Sequence, residues 1–258
     1  MNDFTRWIEL EGAANVRDLG GLPTTDGGTT RQGRILRSDN LQGLTAADVE
    51  MLVGSHKVRH VVDLRSGPEV ALEGPGPLTK VPEVTVHHLT LFAEGGRHTD
   101  VDADRALPWQ EREADDDLRV TGFYYGYLRD RPDSVVSALR VMAMDDGAAV
   151  VHCAAGKDRT GVLCALALEV AGATREAIVA DYEATGERLE QVLARLRASD
   201  TYRDDLDSRP ADDHRPRARY MLQFLGVLDD RYGGPLPWLH ANGWSESDTL
   251  ALRSRLRD

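Results

Sequence analysis

Cysteine is nearly absent: the chain has two in 258 residues, Cys153 and Cys164. Two thiols make no disulfide framework, so both are expected to stay free in a reducing compartment, the cytoplasm. Long apolar runs are missing as well. Nothing approaches the ~20 consecutive apolar residues that a membrane helix needs, which argues against stable membrane insertion. The opening stretch, "MNDFTRWIELEGAANVRDLGG", has no basic region followed by an apolar one, so no signal peptide is read there. Positive charge is in deficit. The net charge is −12, and such a surface repels nucleic acid and anionic membranes. A site for an anion would have to supply its own cations. Repeats and low-complexity tracts are lacking too. What remains is 41% hydrophobic and 29% charged, an ordinary globular composition. The length suits a single domain spanning 1–258 with a sizeable core.

Strand and helix patterns alternate along the chain. "HVVDLRS" (residues 60–66) is a short β-branched run ending in polar residues and reads as a buried strand. "VTVHHLTL" (84–91) alternates and reads as another. Residues 134–144 have helical spacing through Val135, Leu139 and Met142. "GAAVVHC" (147–153) reads as the next strand, and the apolar run 160–171 as a helix buried on most sides. This order predicts an α/β fold with a mostly parallel central sheet flanked by helices. Residues 93–119, with "EREADDDLR", read as an insertion or loop. Residues 188–219 combine an amphipathic helix with a charged, solvated connection, and are a candidate helical lid. "WLHANGWSESDTLALRSRL" reads as two helices with Ser245 capping the second.

One of the rare cysteines sits where strand turns into helix, in "VVHCAAGKDRTGVLCALAL" (150–168). A tight loop of small residues there turns successive backbone N–H groups toward one point, and a helix N-terminus follows. Together they bind a tetrahedral oxyanion. Ala154, Ala155, Gly156 and Lys157 supply the loop. Arg159 can grip two phosphoryl oxygens as a fork. The same surroundings favour the Cys153 thiolate, which can attack phosphorus and form a cysteinyl-phosphate. The Thr160 hydroxyl can bond the sulfur and help it leave. His152 is expected to orient the loop and not to act as a base.

His-Cys-x5-Arg-Thr-Gly resembles the signature of the cysteine-dependent protein tyrosine phosphatases. "HCAAGKDRTG" is similar to the loop of one bacterial branch, which acts on phosphotyrosine, often on phosphoserine and phosphothreonine, and on phosphoinositides. "NVRDLGG" (15–21), "RSDNL" (37–41), "VVDLRSGPEV" (61–70), "DYEATGE" (181–187) and "RYGGPLPWL" (231–239) resemble that branch in the same order. The resemblance implies a tyrosine-phosphatase-like core and a phosphomonoesterase that needs no metal or other cofactor. Its partners would be a phosphorylated protein or a phosphoinositide, with a phosphate ion in the active loop. It implies Asp158 as general acid, with Lys157 adding positive charge at the rim.

Other readings stand beside these. A pseudophosphatase would need the cradle but neither Cys153 nor Asp158. A primarily phosphoinositide-directed phosphatase is a further alternative. Asp63 competes with Asp158 as the acid, or else holds Arg65, Arg17 or another loop. Asn15, Arg17 and Asp18 read as turn and ion-pair residues beside the active loop. Cys164, in an apolar helical run, reads as core. So do Leu189, Leu193 and Leu196, if they form no lid.

Overall fold

The computed structural model describes residues 5–93, 116–207 and 210–257. A strand without a polar face must be covered on both sides. β3 (Val58–Asp63) and β5 (Ala148–His152) are of this kind and are buried almost throughout. With β1 (Arg17–Asp18), β2 (Ile35–Ser38) and β4 (Thr85–His88) they form a five-stranded sheet in the order β1-β2-β5-β3-β4. Only the β1–β2 pair is antiparallel. The α/β expectation with a mostly parallel, helix-flanked sheet therefore holds.

Alternation along each strand divides the core in two. Leu36, Val61 and Val150 face a smaller cluster with Leu52 and Leu78. It is covered by α1 (Ala46–Glu50), the π-helical turn Met51–Ser55 and the 3-10 turn Pro77–Lys80. The short α2 (Gly67–Glu73) follows β3 and opens on a capping box in which Ser66 and Glu69 bond each other's backbone amides. Ile35, Val62 and Val151 face the larger cluster. Its helices include α3 (Asp116–Asp130), α4 (Pro132–Met142), α5 (Asp158–Ala171) and α6 (Arg175–Ala184). Beyond them come α7 (Leu189–Arg197), α8 (Arg203–Asp207), α9 (Ala218–Tyr232), α10 (Pro235–Ala241) and α11 (Glu246–Leu256). Of α5, every residue from Arg159 to Ala171 except Glu169 is buried, as its apolar run predicts. Ser245 caps α11 through Asp248 N–H at 3.1 Å.

Two expectations need correction. Of the segment read as a loop or insertion, 94–115 lies outside the described residues, and 116–119 already belong to α3. The second half of 188–219 is not simply a solvated connection. It forms α8 and the 3-10 turn Ala211–His214, and Tyr202, Leu206 and His214 are buried.

Strand register positions the site. Ser38 pairs with His152, His152 with Asp63, and Asp63 with His88. Four parallel strands therefore end level. The loops leaving β2, β3 and β5 emerge side by side at the carboxyl edge, where α/β sheets bind ligands.

Candidate active site

β5 ends at His152, the chain turns through Cys153–Lys157, and α5 begins at Asp158. Three carbonyls of this turn, those of Ala154, Ala155 and Gly156, are taken up by neighbouring segments. Ala154 O accepts from Asn40 N–H at 2.8 Å. Ala155 O and Gly156 O accept from Asn15 Nδ2 at 3.0 and 3.3 Å, and Gly156 O also from Arg37 at 2.7 Å. Every peptide here is trans, and across a trans peptide the N–H points opposite to the C=O. The amides of Ala155, Gly156 and Lys157 are therefore turned the other way, away from Asn40, Asn15 and Arg37. Gly156 is required twice over. Its φ is +67°, and a Cβ would lie 2.3 Å from Ser38 O.

Cys153 lies on the pocket wall and is 2% exposed. The Thr160 hydroxyl donates to its sulfur at 3.2 Å, as expected of that residue. His152 bonds Cys153 O through Nδ1 at 3.2 Å, with Nε2 3.7 Å from Asp63. Burial holds His152 below its ordinary pKa, so the neutral ring prevails.

Arg159 is buried and paired with Glu69 from α2: Nη2 donates to Oε1 at 3.0 Å and Nη1 to Oε2. Nη1 also reaches Leu64 O at 3.4 Å. Burial alone would raise the Glu69 pKa, but Arg159 outweighs it and keeps the carboxylate ionised. Two N–H groups of the fork, Nε–H and the second on Nη2, are not used by these bonds.

The two candidate acids are held differently. Asp158 lines the pocket, and its Oδ1 accepts from Tyr124 OH at 2.6 Å. Tyr124 OH in turn meets Tyr182 OH at 2.7 Å. Burial and Asp158 both raise the Tyr124 pKa, so this phenol stays a donor. Asp63 is locked by Arg65, with Nε and Nη2 at 2.9 and 2.6 Å. Burial would raise its pKa, but His152 and Arg65 hold it well below the usual carboxylate range. Arg17 is not Asp63's partner; it bonds Asp181, at 3.2 Å. Asp18 accepts from the Gly20 and Gly33 amides, a turn role. Cys164 is buried in α5, and burial pushes its thiol up to about 11.

Above the loop lies a third apolar cluster. Leu189, Val192, Leu193 and Leu196 of α7, with Tyr202 and Leu206, pack on Ala154 and Ala155. Polar ties fasten it. Tyr202 OH donates to Glu69 Oε1 at 3.0 Å, and Arg195 Nε to Asp39 at 3.1 Å. Lys157 Nζ bonds His214 O at 3.0 Å and lies 3.5 Å from Asp158. The cavity measures about 70 Å³.

The sequence model of the tyrosine phosphatase family matches residues 8–258. The triple specificity protein phosphatase PtpB of Mycobacterium tuberculosis (strain ATCC 25618 / H37Rv) is 31% identical, over 96% of this chain and 98% of its own. A tyrosine-protein phosphatase of Nostoc commune is 35% identical over 45% of this chain and 42% of its own. The solved structure of P. aeruginosa TpbA is 20% identical, with a TM-score of 0.29 over 67% of this chain and 84% of its own. The chain belongs to the tyrosine phosphatase family, and it is a phosphatase enzyme.

The sequence reading missed Glu69, Tyr124, Tyr182, Tyr202, Arg37 and Asp181 as site residues. Ser66-x-x-Glu69 was readable as a capping box, and four of the six, Arg37, Glu69, Asp181 and Tyr182, lie in stretches noted for their likeness to the family. Among the described residues no helix is long and apolar enough to cross a membrane.

Proposed function

We propose that this enzyme hydrolyses phosphomonoesters through a cysteinyl-phosphate on Cys153. The supporting observation is the junction of β5 and α5. There the Cys153 sulfur, bonded by Thr160, shares one pocket with Arg159, Asp158 and a loop whose Ala154, Ala155 and Gly156 carbonyls are held by Asn40, Asn15 and Arg37. In the first step the thiolate attacks phosphorus. The S–P bond forms, the bond from phosphorus to the ester oxygen breaks, and Asp158 gives that oxygen its proton. In the second step a water attacks phosphorus, Asp158 takes its proton, and the S–P bond breaks to release phosphate. The free Nε–H and Nη2–H of Arg159 hold two phosphoryl oxygens while Glu69 fixes the plane of the fork. Asp63 is the poorer acid because Arg65 keeps it ionised.

The substrates we infer are protein phosphotyrosine first, then phosphoserine, phosphothreonine and phosphoinositides. Support comes from the full-length likeness to a phosphatase named for triple specificity, and from an aliphatic and aromatic lining that suits a ring. The cover must open, because known ligand pockets span ~300–1,000 Å³ and this cavity is about 70 Å³. Phosphate release from matched phosphotyrosine, phosphoserine and phosphoinositide substrates tests the order. Cys153→Ser should abolish turnover of all of them while keeping the fold, because a serine hydroxyl stays protonated there. Turnover by that variant near the wild-type rate would end the thiolate mechanism.

A further inference from the structure

An oxyanion cradle works only while its carbonyls stay turned away, and an anion in the pocket gives no grip on those carbonyls. Something behind the loop must hold them. Asn15, Arg17, Arg37, Asp181 and Thr185 lie there, each no more than 1% exposed. Asn15 Nδ2 bonds Ala155 O, Gly156 O and, at 3.2 Å, Thr185 Oγ1. Arg37 Nη2 bonds Gly156 O, and its Nη1 bonds Asp181 Oδ2 at 2.5 Å. Arg17 spans the rest. Its Nε reaches Asp181 Oδ1, its Nη2 reaches Asp181 O at 2.7 Å and Thr185 Oγ1 at 3.1 Å, and its Nη1 bonds Asn15 Oδ1. Arg6 closes on the same carboxylate from the partly exposed side.

We propose that Asp181 is a positioning residue for the phosphoryl cradle: by clamping Arg37 and Arg17 it makes them, with Asn15, hold the Ala155 and Gly156 carbonyls out of the pocket. The proposal rests on the loop being an oxyanion site. Two features of the network argue for more than scaffolding. First, the Asp181 carboxylate bonds Arg37, which bonds Gly156 O, and Arg17, which bonds the Asn15 side chain that holds Ala155 O and Gly156 O. Second, the cluster buries two guanidiniums against one carboxylate, with Arg6 adding a third cation. Burial lowers the Arg37 pKa and Asp181 more than restores it, while burial and Arg37 pull Arg17 down to about 9. Both stay charged at neutral pH. The surplus positive charge lies directly behind the cradle and favours an anion in front of it.

The test measures oxyanion binding in the Cys153→Ser background, so that it does not depend on the thiolate chemistry. Tungstate serves as the tetrahedral probe, and thermal melts establish that each variant is folded at the temperature used. Asp181→Asn and Arg37→Met should each weaken tungstate binding by roughly 10–100-fold, the size of loss seen when partners that orient a metal ligand are removed. Arg37→Lys, which keeps a charged donor, should recover part of that loss. A folded Asp181→Asn protein that binds tungstate within about twofold of its parent would make the cluster a stability element only. Should Asp181→Asn not fold, Asn15→Ala decides, since it removes the amide donors to the Ala155 and Gly156 carbonyls, together with the Oδ1 acceptor for Arg17, and leaves Asp181 and Arg37 in place. The same loss supports the proposal and unchanged affinity overturns it. Retained turnover by Cys153→Ser would instead sink the covalent mechanism and leave this binding comparison standing.

Discussion

At position 69 one carboxylate accepts from the Ser66 amide, the Arg159 guanidinium and the Tyr202 hydroxyl. It therefore sets the plane of the Arg159 fork, and lysine in place of that arginine would have neither the plane nor the second arm. Arg159→Lys should cost roughly 2.7–4 kcal/mol of transition-state stabilisation, as when an oxyanion donor is removed. Turnover of nitrophenyl phosphate within a few-fold of wild type would show that the fork does not face the phosphoryl group. The two aspartates separate by leaving group. A serine phosphate leaves as a poor, basic alkoxide and needs the acid, whereas nitrophenolate barely does. Asp158→Asn should slow the serine phosphate far more than the nitrophenyl ester. Asp63→Asn should slow both alike, because it frees Arg65 and His152 without touching the leaving oxygen. The reverse pattern would move the acid to the end of β3.

The cover, built from α7, α8 and the turn Ala211–His214, turns its apolar side to the active loop and its ties to Glu69, Asp39 and Lys157. A cavity of about 70 Å³ is small beside ligand pockets of ~300–1,000 Å³, so on the proposed function a phosphotyrosine ring binds by displacing Tyr202 and the leucines beneath it. Amide hydrogen exchange across 189–206 should therefore quicken when a phosphotyrosine peptide binds the Cys153→Ser protein. Unchanged exchange there would make the segment ordinary scaffold. The amphipathic pattern of α7 was legible in the sequence; what it packs on was not. The same limit applies throughout the site. Cys153, Gly156, Asp158, Arg159 and Thr160 could be read because one local turn contains them all. Glu69 is 90 positions from Arg159, Asn15 is 140 from Ala155, and Arg37 is 144 from Asp181. Their pairing is set by strand register at the sheet edge, which periodicity does not encode. Helix starts at 116 and 203 were hidden for a different reason. The charge-rich stretches there match solvated loops in composition, and tertiary packing decides.

Over the whole molecule a surplus of twelve negative charges surrounds a centre rich in buried arginine: Arg17, Arg37, Arg65 and Arg159. Arg65 pairs with Asp63, Arg159 with Glu69, and Arg17 and Arg37 share Asp181, so folding depends on those carboxylates staying ionised. Asp63, Glu69 and Asp181 are all held below their ordinary values by their arginine and histidine partners, which outweigh burial. The sign follows from linkage. A group depressed in the folded state adds stability that is fully present above its unfolded value, ~3.9 for Asp and ~4.3 for Glu, and lost as pH falls toward the folded one. Asp18, Asp39 and Glu169 are raised by burial and work the other way, so the net acid sensitivity is a difference between the two sets. Asp63→Asn isolates one member. At pH 7 it should destabilise the protein by about 3–5 kcal/mol, the cost of leaving Arg65 buried without its partner. As the pH is lowered below ~4, wild-type Asp63 becomes protonated as the chain unfolds and the gap between the two proteins should shrink. Thermal midpoints of both, taken from pH 7 down to the acid limit, test this. A gap that stays constant would mean that Asp63 is not held as a buried anion, and that Arg65 draws its compensation from elsewhere at the carboxyl edge of the sheet.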